Sequence, residues 1–199
     1  MKEVSFKDFD ILSEQDKSEA LALLHRYDQI DKQDSCQKDF ISFVKHLWPE
    51  FIEGRHHKII GDKFNKIAQG KLKRLIVCLP PRHSKSEFAS TYFPAWMMGK
   101  RGDLKIIQTT HTAELAVRFG RKVRNIIDSE EYQHIFPELK LQADNKSAGR
   151  WTTNQEGESF YAGVGGAITG RGADLLIIDD PHSEPVSYTH LRAHETRHD

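Results

Sequence analysis

The chain has 199 residues, of which 38% are apolar and 29% charged, a composition that supports one globular domain with a sizeable core. It excludes collagen-like fibres and disulfide-rich mini-proteins, and no apolar run reaches the ~18 residues needed to cross a bilayer. Because the first residues also lack the pattern of a signal peptide, we expect a cytoplasmic protein. Cys36 and Cys78 are far apart in sequence, and we expect both to be reduced structural thiols.

The formal net charge is zero, but the two signs are segregated along the chain. Residues 50–127 contain 16 basic and 6 acidic side chains, whereas residues 1–49 contain 7 and 10, and residues 128–199 contain 6 and 13. A basic central segment between acidic flanks indicates either a polyanion-binding surface or charged helices exposed to solvent.

Helical periodicity comes first in the chain and is followed by an alternation of strands and helices. Ser13 is the predicted N-cap of a first helix that extends to about Tyr27, and two further helices are predicted at 40–48 and 59–68. Later helices are predicted from residue 87 until Pro94 and at 113–127. The predicted strands are 75–79, 104–109 and 174–180, and the region between 128 and 173 is interpreted as polar and turn-rich. This order predicts an α/β fold with a parallel sheet flanked by helices.

Lys85 and Ser86 follow a predicted buried strand and precede a helix, an arrangement that binds a nucleoside triphosphate. Loop N–H groups face the phosphates, the lysine neutralises their charge, and the hydroxyl ligates magnesium. An ordinary surface loop is the alternative for so short a pattern. Leu79 and Ser84 occupy the two glycine positions of the usual G-x-x-x-x-G-K-[ST] pattern. A left-handed backbone at Ser84 would cost ~1 to 2 kcal/mol relative to glycine.

Asp179 and Asp180 directly follow the four apolar residues of the last predicted strand. A triphosphate with its metal needs one strand-end carboxylate for magnesium and usually a second acid to polarise the attacking water. The alternative is a strand whose polar end meets solvent, with a turn starting at Asp180 and Pro181. The occurrence of both motifs in this order is rare by chance, and it favours a nucleotide-binding site.

Two segments carry a resemblance to a known family. They are Pro80–Glu87, together with the nearby Phe93–Trp96, and Ile168–Pro181. Over roughly residues 50–182 the chain resembles the large terminase subunit of tailed bacteriophages and prophages, DNA-packaging motors with an N-terminal ATPase and an RNase H-like nuclease. The resemblance implies an N-terminal helical region (1–52) and a P-loop NTPase domain of the ASCE type (53–185), incomplete at its C-terminal end and without the nuclease.

The resemblance also implies roles for individual residues, with ATP and Mg²⁺ as cofactors. Lys85 would contact the β and γ phosphates, and Ser86 and Asp179 would hold the metal. Asp180 would activate water. Arg82 would reach the γ phosphate. The alternative for Arg82 is that it is an ordinary surface arginine. The other predicted nucleotide-binding positions are Pro81, His83, Ser84 and Glu87.

As a motor, such a subunit would couple ATP hydrolysis to translocation of double-stranded DNA, with the portal protein and the terminase small subunit as partners, in a homo-oligomeric ring. The alternatives are a helicase- or recombinase-like ATPase and an inactive nucleotide-binding module. Basic residues of the predicted helix 113–127 would touch DNA phosphates or form a solvated face. They are Arg118, Arg121, Lys122 and Arg124.

Three further patterns remain. His56 and His57 fit either an adenine-recognising element or a capped helix start. The glycine-rich segment 163–172 fails the register of a dinucleotide site and is interpreted as a loop before the acidic strand. Three histidines of the last segment imitate a zinc site, but we expect residues 186–199 to be a non-native, adaptor-derived tail. They are His190, His194 and His198.

Relatives of this ATPase class have a further strand, later in sequence, between the phosphate-loop strand and the acidic strand. Without it, both strands would lack a partner for their N–H and C=O groups. We therefore expect the chain by itself to be poorly stable and inactive, although the complete gene product would be an ATPase.

Overall fold

The computed structural model describes residues 13–147, 149–166, 168 and 170–182. The predicted tail and its three histidines lie outside these residues. A five-stranded sheet has the order β2-β3-β4-β1-β5. Its strands are β1 (Lys105–Thr110), β2 (Leu141–Ser147), β3 (Arg150–Thr153), β4 (Glu158–Gly163) and β5 (Leu175–Asp179). β1 is parallel to β4 and β5, whereas β2, β3 and β4 pair antiparallel, so the sheet is mixed.

Helices account for most of the remaining chain. They are α1 (Glu14–Lys38), α2 (Phe40–Leu47), α3 (Arg55–Ala68), α4 (Lys85–Glu87), α5 (Phe93–Lys100), α6 (Ala113–Ile127) and α7 (Glu130–Ile135). A π-helical turn, Phe88–Tyr92, joins α4 to α5 into one continuous helical run. Four helices begin at polar N-caps whose side chains accept N–H groups of the first turn: Ser13, Asp39, Thr112 and Ser129.

The α/β class and the helix at 113–127 are confirmed. Ser13 caps α1 as expected, but this helix extends to Lys38 and not to about Tyr27. The prediction that Pro94 ends a helix is wrong, because α5 continues to Lys100. The π-helical turn places Pro94 in the first turn of α5, where its missing N–H costs no hydrogen bond.

The predicted strand at 75–79 does not form. This segment has no regular secondary structure, and Ile76 is 89% exposed. β5 lies at the edge of the sheet, and no described residue pairs with its outer side. A strand needs a hydrogen-bonded neighbour, so apolar character alone does not produce one. The fully parallel sheet is also a wrong prediction, because the region taken as turn-rich contains β2, β3 and β4.

The core lies between the N-terminal helices and one face of the sheet. Phe40 is fully buried at its centre, and its ring makes edge contacts of 5.0 to 6.0 Å between centroids with four aromatic rings. They belong to Phe64, Phe88, Phe93 and Trp96. The indole N–H of Trp96 donates to the Cys36 carbonyl (2.9 Å), which fastens α5 to the end of α1.

The opposite face of β5 presents Leu176 and Ile178, which are 56% and 59% exposed. Cys36 is buried, but Cys78 is exposed, so the expectation of two structural thiols holds for Cys36 alone. Within the described part of the chain, none of the helices combines the length and the apolar character that a membrane span requires.

Candidate nucleotide-binding site

The loop before α4 contains backbone conformations that non-glycine residues rarely adopt. Ser84 has φ 59° and ψ 14°, the left-handed conformation that the glycine position requires, and Arg82 has φ 62°. Asp180, at the end of β5, has φ 42°. Such residues cost of order 1–3 kcal/mol each, and they cluster at ligand sites. Alternation of right- and left-handed residues also turns consecutive N–H groups toward one concavity, which is how loops bind anions.

Lys85 is the first residue of the helical run, and its Nζ donates to Asp180 Oδ1 at 2.7 Å. The hydrogen bond from Lys85 to Asp180 raises the pKa of the ammonium group, and the charges of Asp180 and Asp179 act in the same direction against partial burial. The lysine therefore stays charged over the whole physiological range of pH. The fold thus brings the start of α4 into contact with the end of β5.

Asp179 is the last residue of β5 and is 7% exposed. Its register partner on β1 is Thr110. The hydroxyl of Ser90, in the π-helical turn, donates to Asp179 Oδ2 at 2.9 Å, and this contact is buried. Burial without such a bond would be costly for a carboxylate.

The remaining loop residues surround this pair. Pro81 and Arg82 are exposed, and Ser86 is half-buried. His83 Nδ1 lies 2.9 Å from the Pro81 carbonyl oxygen. Glu87 forms an ion pair with Lys122 of α6, which ties the helical run that follows the loop to this basic helix.

His57 caps the start of α3, because its Nδ1 accepts the Gly54 N–H at 2.9 Å. Of the two interpretations of the histidine pair, the capped helix start is confirmed for His57. Burial, and then the neighbouring His56, lower the pKa of His57. The His56 ring also lies 5.5 Å from that of His83, so α3 contacts the loop.

The basic side chains of α6 have different surroundings. Arg118 and Arg121 are exposed, whereas Lys122 is half-buried in its pair with Glu87. Arg124 Nη2 lies 3.5 Å from the side-chain oxygen of Asn125. Of the four basic side chains, Arg118 and Arg121 are therefore the most accessible from solvent.

A cleft of about 460 Å³ lies away from the loop, between α1, α5 and the segment after α7. Its amide side chains are used within the fold: Gln33 and Gln37 donate to the Ile135 carbonyl, and Gln155 donates to that of Glu138. We assign this cleft a structural role.

Comparisons with family models, curated proteins and solved structures found no match to this chain. Its function is therefore inferred from the residues of the site itself. Among the described residues there is no group of three or more His, Cys, Asp or Glu side chains placed to hold a metal. Nucleotide sites bind Mg²⁺ through one or two carboxylates plus substrate phosphates, and Asp179 and Asp180 fit that requirement.

Ser90 is the residue of the site that the sequence analysis missed. It lies four positions after Ser86, a spacing that places two residues on the same side of a helix. The π-helical turn and the contact with β5 were not readable from periodicity.

Proposed function

We propose that the complete gene product binds and hydrolyses ATP in the site between Lys85 and the carboxylates at the end of β5. The observation that carries this proposal is the 2.7 Å contact between Lys85 Nζ and Asp180 Oδ1, with the buried Asp179 beside it. A cation at a helix start, a strained loop and two strand-end carboxylates match the requirements of a triphosphate with its metal.

In this proposal Lys85 and the loop N–H groups bind the phosphates, and Ser86 and Asp179 hold Mg²⁺. The metal neutralises the charge that develops on the phosphoryl oxygens. Asp180 is ion-paired in the nucleotide-free chain, so a triphosphate competes with it for Lys85. Once released, its carboxylate can accept a proton from the attacking water. Arg82 is exposed on the loop and available to the γ phosphate.

The biological setting that we propose is the DNA-packaging motor, on the strength of the terminase-like motifs. The excess of 16 basic over 6 acidic residues in 50–127 supports a nucleic-acid partner. Arg118 and Arg121 are exposed on α6, which is linked to the loop through Lys122 and Glu87. Binding of DNA phosphates by α6 would therefore be coupled to the ATP site.

Lys85→Ala tests the nucleotide site. We expect loss of Mg-ATP binding and of hydrolysis, while Lys66→Ala, which removes an exposed lysine on α3 paired with Asp62, leaves both unchanged. Equilibrium binding of a fluorescent ATP analogue and phosphate release measure the two steps separately. Equal binding by the wild type and Lys85→Ala would contradict the assignment.

A binding module that never turns ATP over is the second candidate, because Lys85 is already paired with Asp180 and Ser84 is strained. Saturable ATP binding without phosphate release, with or without double-stranded DNA, would favour it. Hydrolysis that rises with double-stranded DNA and falls in the variant with both Arg118→Glu and Arg121→Glu would favour the motor. Stimulation by single strands alone would favour a helicase-like ATPase.

A further inference from the structure

Ser90 and Asp179 form a buried hydrogen bond across 89 positions of sequence, at the border of the proposed metal site. Ser90 is fully buried and Asp179 is 7% exposed, so little water competes for this contact. The serine hydroxyl donates to Oδ2 alone, and one carboxylate oxygen, Oδ1, is left for other ligands.

The π-helical turn brings this serine to the strand end. It spans Phe88–Tyr92, immediately after the short α4 that begins at Lys85. π-Helical turns of this kind occur mostly inside α-helices and frequently at functional sites. Here the turn lies between the phosphate-binding loop and α5, with Ser90 directed toward β5.

The next residue provides a contrast within the same turn. Thr91 is 2% exposed, and its hydroxyl has no hydrogen-bond partner among the described residues. Two adjacent buried hydroxyls therefore differ in one respect: Ser90 holds the carboxylate and Thr91 does not. Loss of the Thr91 hydroxyl removes no hydrogen bond, which makes Thr91→Val a matched control for Ser90→Ala.

We propose that Ser90 is a positioning residue that orients Asp179 for Mg²⁺. This inference rests on the proposed function, because it assigns Asp179 to the metal. Groups that hydrogen-bond a ligating carboxylate fix its orientation, and their loss typically weakens metal affinity by ~10- to 100-fold. Without the hydroxyl, the Asp179 side chain can rotate, and Oδ1 no longer has a fixed direction.

The test measures binding and not turnover. A fluorescent non-hydrolysable ATP analogue is titrated at a series of Mg²⁺ concentrations with the wild type, Ser90→Ala, Ser90→Cys and Thr91→Val. We expect Ser90→Ala to need ~10-fold more Mg²⁺ for half-maximal enhancement of binding, with metal-free binding unchanged. Ser90→Cys keeps a side chain of similar size and a weak hydrogen-bond donor. Its Mg²⁺ requirement should lie between those of the wild type and Ser90→Ala. Thr91→Val should match the wild type.

The outcomes separate the two proposals. An unchanged Mg²⁺ requirement in Ser90→Ala and Ser90→Cys would overturn the positioning role and leave the nucleotide site intact. An equal rise of the Mg²⁺ requirement in Thr91→Val would also overturn the positioning role, because the effect would then come from packing and not from the hydrogen bond. A wild type that binds no nucleotide at any Mg²⁺ concentration would refute both proposals. Urea unfolding identifies folded variants, and Ser90→Cys replaces Ser90→Ala if the latter does not fold.

Discussion

Lys85 and Asp180 are 95 positions apart in sequence, and their charged atoms lie 2.7 Å apart at the end of β5. The lysine side chain is mostly buried, at 24% exposed, whereas the aspartate side chain is 68% exposed. Asp180 is therefore held weakly, because exposed ion pairs contribute only ~0–1 kcal/mol to stability. The pair therefore keeps Lys85 oriented without blocking the access of a stronger anion.

Asp180→Asn should separate binding from turnover. Removal of the competing charge frees Lys85, so we expect Mg-ATP affinity to stay equal or to rise by no more than ~5-fold, the equivalent of ~1 kcal/mol. Hydrolysis should fall at least ~100-fold, because the amide cannot accept the proton. Phosphate release measures the rate of hydrolysis, and titration with a fluorescent ATP analogue measures the affinity. Retained hydrolysis in Asp180→Asn would remove Asp180 from the catalytic role.

Ser84→Gly should relieve the strain of the loop. The left-handed conformation costs ~1 to 2 kcal/mol at a non-glycine residue, while glycine adds ~0.5–1 kcal/mol of unfolded-state entropy. We expect a net gain of ~0–1.5 kcal/mol in the free energy of unfolding, measured with urea. Ser84→Val is the control, because a β-branched residue tolerates positive φ poorly and should destabilise the chain. A loss of stability in Ser84→Gly would show that the serine side chain is needed there.

His57 should make the stability depend on pH below about 6.5. Its pKa is lowered from 6.5 in the folded chain, chiefly by burial, so the unfolded state binds the proton more readily. The stabilisation is complete above 6.5 and is lost as the pH falls below that value. His57→Gln keeps an acceptor for the Gly54 N–H and does not titrate. Urea midpoints should therefore decline less steeply with acidification in this variant, and parallel declines would contradict the assignment.

The two thiols should react at different rates. Burial, and then the charge of Asp39, raise the pKa of Cys36 to about 11, whereas Cys78 is exposed. A maleimide should modify one thiol quickly in the folded chain and the second only in denaturant, and Cys78→Ser should abolish the fast phase. Cys78 is close enough to Lys85 to act on its pKa, so Mg-ATP should slow the labelling. Two fast equivalents in the folded chain would contradict the burial of Cys36.

Phe40→Ala should be the most destabilising of these substitutions. The ring is fully buried at the centre of the aromatic cluster, and its removal leaves a cavity between α2 and the helical run. Such truncations cost ~3–5 kcal/mol. Tyr27→Ala, in which an aromatic ring that is 70% exposed is removed from α1, should change the free energy of unfolding by less than ~0.5 kcal/mol. Similar unfolding midpoints for the two variants would contradict the position of the core.

The sequence by itself determined the α/β class, the Ser13 cap, the helix at 113–127 and the strand ending at Asp179, because local periodicity and capping encode each of these. Only the tertiary structure decided that 75–79 has no strand neighbour, that β2 to β4 pair antiparallel, that Pro94 lies inside a helical run, and that Ser90 reaches Asp179. Strand pairing and buried hydrogen bonds join residues that are distant in sequence. The pattern of a short segment does not determine which distant residues it will contact.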